Sequence, residues 1–295
     1  MADDPYGNET PEISNADSSA DSNPASNASW ERVQVARHPK RPHTSDYLSR
    51  IFTGFSELHG DRVFGDDAAV IGGFGMLDST PVMAIGQEKG RDTKQKLKRN
   101  FGMPKPEGYR KALRLMRLAD KFQRPIVTFL DTMGAYPGID AEERGQAEAI
   151  ANNLREMSRL GVPVVTVVLG EGGSGGALGL GIANRVYMLE NAYYSVISPE
   201  SCAAIIYRDS GRAAEAAEAL RLTAADLKGL ELIDGIIAEP GAGAHTDWNK
   251  AAELVKETIQ KALAELTPLS RQALIEDRYD KFRRMGNFFA EAPAP

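Results

Sequence analysis

The feature that most constrains this chain is an apolar run that ends in glycine. Residues 162–169 are almost wholly apolar, and VVLGEGGSGGALGLG (167–181) carries that run into ALGLGI. An apolar run without alternation is buried on both faces, as a central strand is. Glycines that follow it remove side chains where something must approach the backbone. Residues 125–130 repeat the arrangement: a short apolar strand, the loop DTMGAYPG at 131–138, then helical spacing across 141–160. Strand, loop and helix in that order imply parallel pairing through crossovers, an α/β layout. Two loops at neighbouring strand ends form a crevice, the usual binding place in such sheets.

Three chemistries fit the glycine segment. Gly170, Gly172 and Gly175 match a dinucleotide fingerprint, with Glu190 twenty residues on. That fingerprint normally opens the first strand-turn-helix, whereas this one comes after more than half the chain. Gly172, Ser174 and Gly176 match a nucleophile elbow, which needs a histidine base and an orienting acid. The histidines are His38, His43, His59 and His245; only His245 follows the serine, beside Asp247, with Asp226 or Asp234 as possible acids. The third chemistry is an oxyanion hole of backbone amides, which asks for no base from this chain. A structural alternative stands beside all three: glycines that let a helix pack closely on a strand. DTMGAYPG weakens it, because that loop too leaves a buried strand end with small residues.

Elsewhere, helical spacing runs through Tyr47, Leu48, Ile51, Phe52, Phe55 and Leu58, with Thr44, Ser45 or Asp46 to cap it. Residues 69–77 and 82–86 read as strands joined by the turn DSTP. Residues 108–122 form an amphipathic helix. Short strands are expected at 185–189, 193–197 and 232–238, and helices at 199–207, 247–266 and 270–285. Residues 87–121 hold twelve Lys/Arg against four acids; this is either a solvated face or a groove for anionic groups.

Charge is unevenly placed. Residues 1–29 hold six of the 41 acids and no Lys or Arg, so the rest of the chain is balanced at 35 of each. That tail is rich in Ser, Asn, Asp and Ala, a composition expected to stay disordered. A neutral body argues against bulk nucleic-acid binding. The lone Cys202 excludes an internal disulfide or a thiolate zinc cluster, and no metal site is expected. No apolar stretch reaches membrane-spanning length and no secretory signal opens the chain, so a cytoplasmic location is expected.

The segments RVQVARHPKRP, GDRVFGDD, EKGRDTKQKLKRNFGMPKPEGYRKALRLM, FLDTMGAYPGIDAEERGQAEAIANNLREMSRLGVPVV, LGEGGSGGALGLGI and YSVISPESCA closely resemble the alpha-subunit family of acetyl-CoA carboxylase carboxyltransferases, from about residue 33 to 285. The resemblance implies a crotonase/Clp-protease-like spiral of strand-strand-helix turns with flanking helices, as one domain over 30–290. It implies transfer of a carboxyl group from carboxybiotin, held on a carrier protein, to acetyl-CoA, giving malonyl-CoA for fatty acid biosynthesis. Gly175 and Gly176 would supply amides to the biotin ureido oxygen, with Gly134, Ala135, Tyr136 and Gly138 as the pocket wall. Lys89, Arg91, Lys94, Lys98 and Arg99 become candidates for the phosphates of coenzyme A. Implied partners are a beta subunit in an α2β2 assembly, the biotin carboxyl carrier protein, and a biotin carboxylase that alone uses ATP. Met133 stands where the family's loop usually has proline, and the acidic tail stands where the family has a long charged helical extension. A hydrolase using Ser174, or a non-catalytic scaffold, is the alternative.

Overall fold

The computed structural model describes residues 28–286. The expected disordered tail therefore lies outside the described residues apart from Ala28 and Ser29, as does the 287–290 end of the expected domain. In chain order the elements begin with α1 (Ala28–Ala36), α2 (Thr44–Ile51), β1 (Thr53–Glu57), β2 (Val70–Leu77) and β3 (Thr80–Gln87). Next come α3 (Thr93–Lys98), α4 (Pro106–Lys121), β4 (Ile126–Thr132), α5 (Ile139–Glu143), α6 (Gln146–Met157), β5 (Val164–Gly173) and α7 (Ser174–Leu178). The chain closes with β6 (Arg185–Leu189), β7 (Tyr193–Ser195), α8 (Pro199–Ile206), α9 (Ala213–Leu220), α10 (Ala224–Gly229), β8 (Gly235–Ile237), α11 (Trp248–Leu266) and α12 (Arg271–Arg284).

The sheet runs β1-β2-β3-β4-β5-β6-β8. The β1-β2-β3 edge is antiparallel, and every pairing from β3 onward is parallel. β4 and β5 are buried at every position, as their mainly apolar letters without alternation predict. β5 is also forked: Val165–Val168 pair β6, while Glu171–Gly173 pair β7. That fork carries strand pairing past the apolar run and makes the site turn start at Ser174. α4 lays Tyr109, Ala112, Leu115, Met116 and Ala119 into the core, packing on β2, β3 and α6.

Two expectations need correction. The helix expected through Leu58 stops at Ile51, and Phe55 lies in β1, where it packs from the edge of the core. The single helix expected over 141–160 is two, broken at Gly145, whose φ of +83° is open to glycine without strain. The short helix at the glycine turn, α7, begins at Ser174 and includes Gly175 and Gly176. α9 and α10 were not anticipated; both are short and alanine-rich, so their apolar periodicity is faint. No helix among the described residues is long and apolar enough to cross a membrane.

Candidate functional site

The two site loops meet glycine to glycine. A Cβ built on Gly176 would lie 2.3 Å from the carbonyl carbon of Gly134 and 2.4 Å from the nitrogen of Ala135. One on Gly173 would lie 2.2 Å from the Met133 oxygen. These atoms are backbone and cannot turn aside, so glycine at 173 and 176 is what lets the loop after β4 touch the turn after β5. Gly175 is different: nothing lies within 4 Å of its built Cβ. The Gly176 carbonyl is fixed from behind, accepting from Gln87 Nε2 at 2.8 Å and from the Tyr109 hydroxyl at 3.2 Å. Both donors are buried. Gln87 also accepts from the Asp131 amide at 3.1 Å, so one side chain of β3 holds the starts of both loops.

A cleft opens on each loop. One of about 700 Å³ is lined by Met133, Gly134, Ala135 and Pro137, with Arg37, His43, Lys89, Lys96, Glu171 and Glu200. The other, about 440 Å³, is lined by Ser174 and Gly175 and is otherwise mainly apolar, through Leu178, Tyr194, Leu227, Leu230 and Phe282. The expected glycine pair is thus divided: Gly175 faces the apolar cleft and Gly176 makes the loop contact. Of the expected wall, Gly134 and Ala135 line the larger cleft. Tyr136 and Gly138 do not; the Tyr136 ring packs on Gly138 and lies 4.6 Å from the Lys105 ammonium.

At the larger cleft sits a polar cluster that sequence reasoning missed. Lys89 Nζ lies 2.8 Å from Asp131 Oδ1 and 2.6 Å from Glu171 Oε1. Asp131 also meets His43 Nδ1 at 3.3 Å; Glu171 also accepts from Arg37 Nε at 2.7 Å and the Tyr193 hydroxyl at 2.5 Å. Arg37 continues to Glu200. Burial alone would push both carboxyls up. Lys89, with His43 at Asp131 and Arg37 at Glu171, holds both below the usual carboxylate range. The same pair of carboxylates overrides burial at Lys89 and raises its ammonium. The signal for this cluster was legible: Asp131 and Glu171 are lone acids inside otherwise apolar strands, and a buried acid requires a partner.

The basic stretch is mostly spent on internal contacts. Lys89 is held as described. Arg91 pairs with Asp46 and lies 4.4 Å from the Trp248 ring, but it is exposed and lines the larger cleft. Arg99 donates to the Ala68 carbonyl at 2.7 Å. Lys94 and Lys98 are exposed on α3, and Lys96, which was not singled out, lines the larger cleft.

The other two chemistries lose their geometry. Gly170, Gly172 and Gly173 lie inside β5 rather than in a phosphate-binding turn, and Gly170 is packed against Asp131. Glu190 pairs with Arg32. Ser174 does sit on a left-handed turn (φ +53°), as an elbow nucleophile would, but among the described residues no histidine is bonded to it. His245 stacks on His38 at 3.9 Å, His43 meets Asp131, and His59 meets Asp66. Asp226 caps α10, and Asp234 accepts from the Val186 amide. Among the described residues no group of three or more His, Cys, Asp or Glu side chains is placed to hold a metal ion.

The family model described as acetyl co-enzyme A carboxylase carboxyltransferase-like matches residues 13–286. The acetyl-coenzyme A carboxylase carboxyl transferase subunit alpha of Geobacter metallireducens is 61% identical over 88% of this chain and 81% of its own. A protein of the same name from Thermus thermophilus is 60% identical over 88% and 83%. Among solved structures, a transcarboxylase 12S superposes with a TM-score of 0.64 at 20% identity, over 81% of this chain and 44% of that longer one. A Pseudomonas malonate decarboxylase hetero-tetramer in complex with coenzyme A gives 0.63 at 19%, over 82% and 98%. The structural likenesses carry the crotonase-type fold. The sequence matches carry the family: this chain belongs to the acetyl-coenzyme A carboxylase carboxyltransferases, on their alpha-subunit side.

Proposed function

We propose that this chain is the alpha half of a split carboxyltransferase that completes its site with a beta-type subunit and forms malonyl-CoA from acetyl-CoA. Carboxybiotin on a carrier protein supplies the activated carboxyl group. The observation that carries this reading is the Gly176–Gly134 contact, which joins two glycine loops at adjacent parallel strand ends. The amides of Gly175 and Gly176 are the assigned donors to the biotin ureido oxygen. The open space at Gly175 suits approach of a ring, and the two hydrogen bonds on the Gly176 carbonyl keep the turn from reorganising as charge develops. The carrier protein, a biotin carboxylase, an α2β2 assembly, a cytoplasmic location and a domain ending near 290 belong to the same proposal. The test is reconstitution: mixed with a beta-type subunit, the chain moves the carboxyl group of malonyl-CoA to free biotin, and either chain alone does not. A mixture that assembles yet transfers nothing overturns the reading.

Two substitutions sharpen it. Ser174→Ala keeps carboxyl transfer within about threefold, since no group in the site depends on the hydroxyl; loss of more than about a hundredfold would restore the serine as nucleophile. For coenzyme A phosphates, Lys94, Lys96 and Lys98 on α3 form no ion pair among the described residues, whereas Lys89 and Arg91, which also line the larger cleft, are each paired with an acid and Arg99 is bonded to a carbonyl. Changing all three α3 lysines to Ala is expected to raise KM for the acyl-CoA roughly tenfold at low salt and less at high salt. An unmoved KM removes α3 from the substrate site.

A further inference from the structure

We infer that Lys89 is a positioning residue, the cross-tie that seats the two glycine loops on each other by bridging the carboxylates at the ends of β4 and β5. The inference rests on the proposed carboxyl transfer. Its ground is the chain geometry. Asp131 stands two residues before Met133 and Glu171 two before Gly173, the residues in backbone contact. Each carboxylate thus sits at the root of one loop, and one ammonium touches both, at 2.8 and 2.6 Å. Asp131 Oδ1 also accepts the Glu171 amide at 3.1 Å, so the two roots are tied directly as well.

Two of the three ammonium protons of Lys89 are thereby spent on buried carboxylates. The other groups facing it are His43 on Asp131, and Arg37 and Tyr193 on Glu171, with Glu200 beyond Arg37 and Arg41 behind Asp131. Among the described residues only the Lys89 side chain touches both acids. Without it, two nearly buried carboxylates face each other with Arg37 left on Glu171 and His43 on Asp131 but no charge between them, a costly arrangement relieved by separation of the strand ends or by uptake of one proton from water. Separation parts the loops, and proton uptake restores them.

This predicts a titration the native protein lacks. In the complete complex with the beta-type subunit, Lys89→Met is expected to lower kcat by about tenfold or more near about pH 8, with little change in KM. Activity then recovers as pH falls, because the acids share a proton at low pH and repel each other at high pH. The second variant is Lys89→Met with Glu171→Gln. A glutamine there places its N–H toward Asp131 where the ammonium stood, while its oxygen still accepts from Arg37 and Tyr193. This pair is expected to restore kcat to within about threefold of native and to erase the new pH dependence. A KM raised at every pH with no rescue by Glu171→Gln makes Lys89 a substrate ligand and overturns the inference. So does a single variant indistinguishable from native. If Lys89→Met does not fold, the double variant decides: folded and active supports the cross-tie, unfolded or inactive refutes it. An inactive native complex would instead refute the proposed function.

Discussion

Gly176→Val is expected to cut carboxyl transfer by about two orders of magnitude or more, the loss typical of a missing oxyanion donor. The cause is steric. The first added carbon would lie 2.3, 2.4 and 2.8 Å from backbone atoms of Gly134 and Ala135, none of which has a rotamer to change. The turn after β5 must therefore lift off the loop after β4, and a shift of about an ångström misaims donors enough for a loss of that size. Gly229→Ala on α10 is the control, because its new methyl also meets open space and lies outside the lining of both clefts; it should stay within about threefold of native. Assembly with the beta-type subunit and thermal melting of both variants separate a lost site from a lost fold. Full activity in Gly176→Val removes the glycine turn from the chemistry.

The chain's letters disclosed the sheet centre and the loops more readily than the contacts between them. β4 and β5 were legible because both faces are buried and alternation disappears. The helices from Trp248 and Arg271 were legible because they are long and capped by Asp247 and Ser270. β1 was misread because Phe55 continues a helical spacing set by Tyr47 and Ile51, and only tertiary pairing with β2 overrides it. Likewise, glycine spacing located Gly175 and Gly176 but could not say that one is open and the other pressed on Gly134. The basic stretch shows the deeper limit: a count of lysines and arginines does not reveal where the acids are. Asp131 and Glu171 are far from Lys89 in sequence, and only the parallel register of β3, β4 and β5 brings the three together.

Arg41→Met is expected to destabilise the folded chain by about 3–5 kcal/mol at neutral pH, the usual cost of unpairing a buried charge. Arg41 and Glu239 are both buried and joined by two hydrogen bonds, of 2.9 and 2.6 Å, while Arg41 Nε holds the Leu169 carbonyl at 2.8 Å just before the glycines. Glu239 further accepts the amides of Asn191 and Ala244, at 2.8 and 2.6 Å. Burial pushes its carboxyl up, but Arg41 more than offsets this and holds it below the usual carboxylate range. A depressed carboxylate contributes stability that is present above the unfolded range and lost as pH falls through the folded one, so the native pair stays whole from neutrality down to about pH 5. In Arg41→Met burial pushes the Glu239 carboxyl up with only the Asn191 and Ala244 amides left to oppose it, so it takes up a proton more readily than in the native chain. The deficit between variant and native should therefore shrink on acidification, and Arg41→Met with Glu239→Gln should recover much of it at neutral pH. Thermal melting of the three proteins across that pH range decides the matter. A deficit that is flat with pH, or a double variant no more stable than the single one, would mean that Arg41 acts through its packing and its bond to Leu169 rather than through Glu239.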